Sequence, residues 1–430
     1  MARMGTNIEE PAAGCLGIPV KTAGFTGWRR IFRSLHYRDF GLFWTGNFLS
    51  NIGTWMQNLA VGWLLLVLTN SRFLLGLNGF LSLAPAMIFS LPGGVIADRL
   101  NRRKLMLWSQ SAMMVLAFIL AVLTSFRMVT VSEILAIGFF TGVATALNNP
   151  AYQALVPDLV PQEEWLNAIA LNSAQFNMSR AVGPTIAGVV MGTLGMAACF
   201  YMNGVSFLAL IVALLIIVVP TRASDIASSS VWRGMAEGLQ YVRSQRLVLV
   251  LLSLPVVLSL FGFPILILMP AFARDQLKLG ATGLGYLMAG GGLGAVIAAL
   301  ALATQSTLKS SHTYAVASAI VFSVAMVIFS RTHTFLAAFL WLLVVFAGFV
   351  VAYALTNTML QVISPPEFRG RVMGFYNAAT MGLGPIGSLQ AGAIAQAYGT
   401  RFELTLSGII CMVYFTLLLI FLPRLTRNAV

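Results

Sequence analysis

Charged residues are concentrated in a short segment between two long apolar stretches. Residues 93–104 carry five charges in seven positions, at Asp98, Arg99, Arg102, Arg103 and Lys104. Charges at this density are costly in lipid, so we predict that the segment is a tight connection between two membrane helices, lying in water. A carboxylate at a helix end can accept hydrogen bonds from the unpaired N–H groups that begin a neighbouring helix. The arginines can pair with that carboxylate or with lipid headgroups.

A stripe of polar side chains runs along the first apolar stretch. Its members recur at helical spacing and are Asn47, Asn51, Thr54 and Asn58. One polar face on an apolar helix predicts contact either with a wet substrate cavity or with polar groups of a neighbouring helix. Other apolar stretches add Asn148, Asn149, Asn177, Asn357, Gln361 and Asn377 as candidates to line such a cavity.

One permanently charged residue, Arg180, lies inside an apolar stretch. Ser173, Asn177 and Arg180 are spaced to share one face of a helix. A guanidinium within a membrane is costly unless it faces water or a partner, so such a residue indicates a functional site. We expect Arg180 either to bind an anionic substrate or to make a structural contact, and snorkelling to the inner membrane surface is a further alternative.

Membrane helices must hold these side chains in place. Of the 430 residues, 58% are hydrophobic and 9% are charged, and the mean hydropathy is +0.86. Continuous apolar runs predict an all-α membrane protein rather than a barrel, whose strands would alternate. We predict twelve transmembrane helices at about 40–69, 73–97, 104–126, 131–156, 165–193, 196–219, 246–273, 281–304, 311–330, 335–360, 370–397 and 401–423.

The spans group into two six-helix halves that resemble copies of each other. A shift of 201 residues places Gly183-Pro184 on Gly384-Pro385, and two such halves predict pseudo-symmetry with a site between them. Most Lys and Arg lie on the side of the two termini, which predicts cytoplasmic termini. The predicted parts are a tail at 1–39 with an amphipathic helix, halves at 40–220 and 246–423, a cytoplasmic linker at 221–245 and a tail at 424–430.

Composition argues against several other classes of protein. The net charge of +13 fits the basic inner loops of a membrane protein better than nucleic-acid binding. Cys15, Cys199 and Cys411 show no disulfide or metal-ligand spacing. We find no nucleophile–base arrangement and no phosphate-binding loop, so we expect neither an enzyme nor a bound metal or cofactor.

The charged segment resembles a known loop. From Gly94 to Arg103 it reads G-x-x-x-D-R-x-x-R-R, the signature between the second and third helices of the major facilitator superfamily. The resemblance implies that Asp98 is the anion of a latch that joins the two halves when the cavity faces outward, with the start of span 11 as its partner. Asn101 stands where the family usually has Gly, and its tolerance of left-handed geometry predicts that the turn survives.

The inner loops supply the other side of the predicted latch. The first side of the latch is predicted to consist of Gly94, Asp98, Arg99, Arg102 and Arg103. The opposing inner loop carries Glu367, Arg369 and Arg371. Together with Asp158, Glu163 and Glu164, these charges could form a gate at the inner membrane face. The alternative for the loop at 93–104 is that its arginines only follow the positive-inside bias of membrane proteins and form no latch.

Further segments are similar to the exporter branch that includes enterobactin and macrolide efflux proteins. They are Tyr37-Arg38-Asp39-Phe40, Asn148-Asn149-Pro150-Ala151, the run from Leu171 through Gly183-Pro184, and Arg369-Gly370-Arg371-Val372. Proton-coupled drug exporters often carry an Arg in span 4 and a deep acid in span 1, both of which this chain lacks. Asp39 and Glu133 stand at the starts of spans 1 and 4, and Thr130-x-x-Glu133 predicts a capping box.

The expected function is therefore secondary active export across the inner or cell membrane. The substrate would be an amphiphilic small molecule such as a siderophore, a macrolide or another drug-like compound. Alternating access, with the proton as coupling ion, is the expectation from the resemblance, but no titrating residue is identified. Membrane lipids are the other expected partners. An importer or lipid flippase of the same fold, or a non-transporting membrane sensor or scaffold, remain the alternatives.

Overall fold

The chain is described by a computed structural model that covers residues 32–99, 101–217, 231–303 and 311–426; side chains at 89–99, 166, 231–235, 303, 311 and 422–426 are excluded. The described residues form helices joined by short turns, with no strand among them. Within these ranges, nine helices are long and apolar enough to cross a membrane. The prediction of an all-helical membrane protein is confirmed.

The first six helices form what we call the N-terminal set. They are α1 (Arg38–Thr69), α2 (Arg72–Arg99), α3 (Arg102–Ser125), α4 (Val131–Asp158), α5 (Trp165–Thr193) and α6 (Met196–Ile216). A 3₁₀ turn at Arg33–His36 precedes α1. The part of the tail before residue 32, where most of the predicted amphipathic helix falls, lies outside the described residues. The capping box of Thr130 and Glu133 is confirmed at the start of α4.

The later helices comprise a short linker helix and the C-terminal set. The linker helix α7 (Val231–Ser244) lies within the predicted linker. The C-terminal set is α8 (Arg246–Val257), α9 (Pro264–Asp275), α10 (Ala281–Ala303), α11 (Ser311–Ser330), α12 (Phe335–Ile363), α13 (Pro366–Gly382), α14 (Gly384–Tyr398) and α15 (Thr400–Thr426). Two of the predicted spans are each divided into two helices. A π-helical turn at Leu258–Gly262 separates α8 from α9, and Leu383 separates α13 from α14.

These divisions have local causes in the sequence. Pro264 begins α9, and Pro385 is the second residue of α14. Proline cannot donate the backbone hydrogen bond that would continue the preceding helix, so the ladder is interrupted at each site. Ser259 Oγ donates to the carbonyl of Thr380 at 2.7 Å, which ties the two interruptions together.

The charged segment forms a tight connection between two helices, as predicted, but the connection is shorter than expected. We predicted a tight connection over 93–104, but α2 continues to Arg99 and α3 begins at Arg102. Asn101 has φ −61°, so it does not use left-handed geometry. Instead its side chain accepts a hydrogen bond from the Lys104 N–H at 3.2 Å and caps α3. The side chains of Gly94, Asp98 and Arg99 lie outside the described residues.

The two sets meet along closely packed, glycine-lined helices. Gly188 of α5 lies against Gly285 of α10, where a Cβ on either glycine would come within 2.4 Å of the other's Cα. Gly76 of α2 lies against Gly392 of α14, with 2.7 Å between a Cβ and the facing Cα. Small residues allow such backbone approach. Both contacts lie in the parts of these helices nearest the turns at 70–71 and 276–280.

We call the membrane face formed by the turns at 70–71, 276–280 and 331–334 and by Gly399 the predicted outer face. The opposite face, at the ends of α2, α4 and α6, is the predicted inner face. Hydrogen bonds join the turn before α2 to the ends of α9 and α14, so the sets are in contact at the predicted outer face.

Candidate functional site

The charged side chain of Arg180 lies between the two sets. Arg180 is about 22 Å along α5 from Trp165 at 1.5 Å per residue, close to the middle of the helix. Its guanidinium carbon is 5.8 Å from the ring centre of Trp55 on α1, 5.3 Å from that of Phe346 and 5.6 Å from that of Phe349 on α12. We call Arg180 with these three rings the arginine cage. Both sets therefore contribute to it.

The arginine cage leaves part of the guanidinium without a partner. Nη2 of Arg180 is buried and makes no hydrogen bond. None of the ion pairs found among the described residues includes Arg180. Aromatic faces attract a cation, but they cannot accept its in-plane N–H groups as an anion would. The guanidinium is held at mid-helix, so Arg180 does not snorkel to the surface.

Two small recesses meet at Arg180. One extends towards the π-helical turn and is lined by Gly262, Phe263 and Phe322. The other lies between α5 and α10 and is lined by Asn177, Ala181 and Gly292. Their walls are apolar apart from Asn177 and Arg180, and in the arrangement described here neither recess has room for a drug-sized molecule. Of the predicted cavity residues, Asn177 and Arg180 line a recess.

The start of the polar stripe on α1 belongs to a buried hydrogen-bond network. Asn47 is buried and donates to the Tyr152 hydroxyl on α4 at 2.9 Å. That hydroxyl donates to Asn172 on α5, and Gln175 donates to it at 3.4 Å. We call these four residues the Tyr152 network. It places Asn47 at a helix interface, which is the alternative reading of the stripe.

The other amides of the N-terminal set have varied surroundings. Asn148 is buried and accepts a hydrogen bond from Gln110 on α3 at 3.4 Å, so it too lies at a helix interface. Thr54 donates to the carbonyl of Ser50 in its own helix at 2.9 Å. The remaining predicted residues are half-buried at Asn51 and exposed at Asn58 and Asn149.

The predicted cavity residues of the C-terminal set cluster towards the predicted inner face. Gln361 donates to Asn357 one turn earlier on α12, and Asn357 also bonds the side chain of Tyr376 on α13. Gln361 and Asn377 are exposed. Their role in a cavity stays a prediction.

Charges at the predicted inner face pair within each set. Arg102 Nη1 is 2.7 Å from Asp158 Oδ2, and Arg103 Nη2 donates to the Leu215 carbonyl at the end of α6 at 2.7 Å. Arg33 pairs with Glu164 beside the start of α5. None of these contacts joins the two sets.

The C-terminal set uses its inner charges in the same way. Arg371 Nη1 is 3.0 Å from Glu237 of the linker helix, and Tyr241 stacks on Phe368 at 4.5 Å. Burial raises the pKa of the Tyr241 hydroxyl above its ordinary value. Glu367 and Arg369 are exposed. The charged inner gate between the sets is absent among the described side chains, which omit Asp98 and Arg99.

Among the described residues, hydrogen bonds and ion pairs between the sets are instead found at the predicted outer face, and the sequence did not predict them. Arg72 binds Asp275 Oδ2 through Nη2 at 2.6 Å and through Nε at 3.1 Å. Gln396 Oε1 accepts the backbone N–H of Arg72 at 2.8 Å. Arg274 donates to the Leu66 carbonyl at 2.9 Å and to the Asn70 side chain. We call these contacts the outer gate; their signal was the presence of charges at the ends of spans.

Comparison with known proteins places this architecture in context. Residues 31–429 match the family described as transmembrane secretion effector, within the major facilitator superfamily. The chain is 26% identical to the Multidrug efflux pump Tap of Mycolicibacterium fortuitum, over 87% of this chain and 93% of that protein. It is 25% identical to the Enterobactin exporter EntS of Shigella boydii, over 88% and 91%. It is 22% identical to the Macrolide efflux protein A of Streptococcus pyogenes, over 86% and 93%.

A solved structure resembles the fold. It is a bacterial homolog of the human lysosomal transporter Spinster in an inward-facing, occupied conformation, with a TM-score of 0.67 and 13% identity. The match covers 92% of this chain and 97% of that one. The predicted resemblance to the exporter branch is confirmed by the family match and the efflux relatives.

Proposed function

Because the chain belongs to the transmembrane secretion effector family of the major facilitator superfamily, we propose that it exports an amphiphilic small molecule that carries an anionic group. The proposed architecture has twelve spans, six in residues 40–220 and six in residues 246–423. Helices α1–α6 support the first half. In the second half α8 with α9, and α13 with α14, each count as one interrupted span.

The arginine cage is the observation that carries the substrate proposal. Arg180 is a permanent cation with a buried, unpaired Nη2, and aromatic rings from both sets surround it. An anionic group can supply the missing acceptor, while apolar or aromatic parts of the molecule pack on the rings. A ligand at this place touches both sets, so it can respond to their relative movement.

Alternating access is the proposed mechanism. The outer gate joins the two sets at the predicted outer face, while the inner-face charges among the described side chains pair within a set or with the linker helix. These two observations support an inward-facing state. In the outward-facing state we propose that Gly94, Asp98, Arg99, Arg102 and Arg103 latch the inner face against α13. The latch would then involve the exposed Glu367 and Arg369, with Arg371 released from the linker helix.

The proposed energy source is the proton gradient, with proton antiport driving export. The proposed location is the cell membrane with both termini in the cytoplasm, because Lys and Arg are concentrated at the predicted inner face. Export is favoured over import or lipid flipping, and over a static scaffold, because the relatives that match nearly the whole chain are efflux proteins.

An export screen tests the proposal. A host that lacks its own pumps would express the chain and be challenged with enterobactin, a macrolide and cationic dyes, with intracellular amounts measured over time. We expect export of an anionic compound, and we expect Arg180→Ala to reduce it at least tenfold, since one lost charge-assisted contact is worth about 1.5–3 kcal/mol. Arg180→Lys should recover only part of the activity, because ammonium lacks the planar fork.

The matched control is Arg331→Ala, which removes an exposed arginine at the predicted outer face. This variant should export as the parent does and should reach the membrane in equal amount. Export of cationic dyes alone, undiminished in Arg180→Ala, would contradict the anionic substrate. If the parent protein reached the membrane but exported none of these compounds, the proposed export function would be contradicted.

A further inference from the structure

A buried carboxyl group lies in the first turn of α15. Glu403 is 1% exposed and is three residues from the start of the helix, just inside the predicted outer face. Ser407 donates to its Oε1 at 2.8 Å, and its Oε2 is buried without a hydrogen-bond partner. The other strongly buried carboxylate among the described residues, Glu164, is paired with Arg33. Glu403 has no such cation in the described ion pairs.

Protonation of Glu403 would remove the cost of burying an unpaired charge. A buried carboxylate with an unpaired oxygen carries a large desolvation cost, whereas a neutral carboxylic acid avoids most of it. The start of α15 offers some stabilisation of an anion, but this helix-end effect is small beside the desolvation cost of a buried carboxylate. Two neighbouring polar atoms, Thr400 Oγ1 and Arg401 Nε, are also buried without partners. This geometry favours the protonated acid over the carboxylate.

The elements around Glu403 carry the outer gate. Helix α9 packs against α15 and ends with Arg274 and Asp275, which bind the N-terminal set. Helix α14 carries Gln396 and is joined to α15 by Gly399 alone. Separation of the outer gate must move the ends of both helices. Glu403 lies in the first turn of α15, at the same membrane face as these ends, so we expect their movement to admit water to the carboxyl group.

We propose that Glu403 is a proton-binding site whose occupancy is coupled to the outer gate. The site holds a proton while the gate is closed, and the proton leaves to outer water when the gate opens. The proposal rests on alternating access as proposed above and adds a residue to it. In an exporter, proton uptake at this site from the outer side would favour the return to the inward-facing state after substrate release.

The sign of the pH dependence follows from this linkage. The closed state binds one more proton than the open state, so acid at the outer side favours closure and alkali favours opening. Between the titration points of the two states, the ratio of open to closed protein should rise about tenfold for each pH unit. Above and below that interval the ratio should be constant.

The other titratable or charged groups on the elements next to Glu403 are few. The flanking helices α9 and α14 bring Arg274, Asp275 and Tyr398, and the turn after α11 brings Arg331 and His333. On α15 itself are Arg401, whose guanidinium contacts His333 Nδ1 at 3.3 Å, the buried thiol of Cys411 and, further along the helix, Tyr414 and Arg424. Helix α8 and the π-helical turn add Arg246, and α11 adds His312 and Tyr314, at the far ends of those elements. His333 is the group whose titration most needs to be separated from that of Glu403.

Pulsed EPR distances across the outer face test the proposal. Spin labels at Met128→Cys and Thr334→Cys would sit on exposed turns of the two sets, with Cys15 replaced by Ser and the buried Cys199 and Cys411 retained. The full chain in nanodiscs would be measured from about pH 5 to about pH 9. We expect a short distance in acid, a growing long-distance population in alkali, and a Glu403→Gln variant that stays short throughout.

Two controls fix the interpretation. His333→Asn should keep the pH response of the parent, and Arg72→Ala should have a larger long-distance population than the parent at each pH. A pH response that persists in Glu403→Gln, or no response in the parent, would overturn the proton site. If Arg72→Ala had no larger long-distance population than the parent at any pH, alternating access at this face would be wrong, and so would the proposed coupling of Glu403 to it.

Infrared spectroscopy gives a second measurement that needs no substrate. The closed parent protein should show the C=O stretch of a protonated carboxylic acid, and Glu403→Gln should lack that band. Cys411→Ser should keep it. An identical carboxylic acid band in the parent and in Glu403→Gln would show that Glu403 is ionised in the closed state, against the proposal.

Discussion

Removal of the Arg72 side chain should weaken the outer gate by a predictable amount. The Arg72 and Asp275 side chains are 24% and 16% exposed, so water screens the pair only in part. Hydrogen bonds to a charged group contribute about 1.5–3 kcal/mol, and fully exposed ion pairs about 1 kcal/mol or less. Two such bonds to one oxygen, at 2.6 and 3.1 Å, place this pair between those limits.

Two features of the structure reduce the cost of Arg72→Ala. Arg274 Nε still donates to Asp275 at 3.0 Å, so the carboxylate keeps a partner. Gln396 still accepts the backbone N–H at position 72. We therefore expect a loss of about 1.5 kcal/mol, which raises the ratio of open to closed outer faces about tenfold. Asp275→Ala should cost more, because it leaves both arginines without this acceptor.

The distribution of distances between spin labels at positions 128 and 334 measures the ratio of open to closed outer faces. Arg331→Ala, at an exposed site on the same face, is the matched control and should not change it. The double variant Arg72→Ala with Asp275→Ala should shift the ratio less than the sum of the single shifts, because both remove one interaction. Additive shifts, or an unchanged ratio in Arg72→Ala, would refute the gate.

Two further substitutions test a helix contact and a buried hydrogen-bond network. Gly188→Ala places a Cβ 2.4 Å from the Cα of Gly285, so it should separate α5 from α10 and lengthen the label distance, whereas Gly374→Ala, with open space around it, should not. An unchanged distance would mean that this contact does not hold the face closed. Tyr152→Phe removes the shared hydroxyl of the Tyr152 network and should cost about 1–3 kcal/mol, seen as a lower unfolding temperature in detergent. Parent-like stability would indicate that water replaces the hydroxyl.

Much of the fold could be predicted because lipid leaves few alternatives. A run of about 20 apolar residues must be helical, since its backbone groups find no other partners in the membrane. The interruptions at Leu258–Gly262 and Leu383 were missed, although Pro264 and Gly384-Pro385 signal them. Proline in a membrane helix is often tolerated, so its presence did not decide whether the ladder would break.

The site was less predictable, because helical spacing shows which residues share a face and does not show what that face contacts. Asn47 and Asn51 belong to the same stripe, but their surroundings differ. Asn47 donates a hydrogen bond to Tyr152, whereas Asn51 is half-buried and makes no side-chain hydrogen bond to another described residue. The aromatic rings around Arg180 come from α1 and α12, and Trp55 and Phe346 are nearly 300 residues apart in the sequence. No local sequence pattern connects them. Glu403 escaped notice because an acid in a first turn is ordinary.

The distribution of bond types along the contact between the sets bears on how fast the transporter can turn over. Among the described residues, hydrogen bonds between the N-terminal and C-terminal sets occur at the outer gate, and the glycine contacts deeper in the membrane are only van der Waals contacts. When the sets part, the directional bonds break where water can replace them at once. The glycine surfaces separate without breaking a hydrogen bond. The activation barrier should therefore be set by hydration at the rim and be sensitive to salt, while the glycine surfaces slide apart with little resistance.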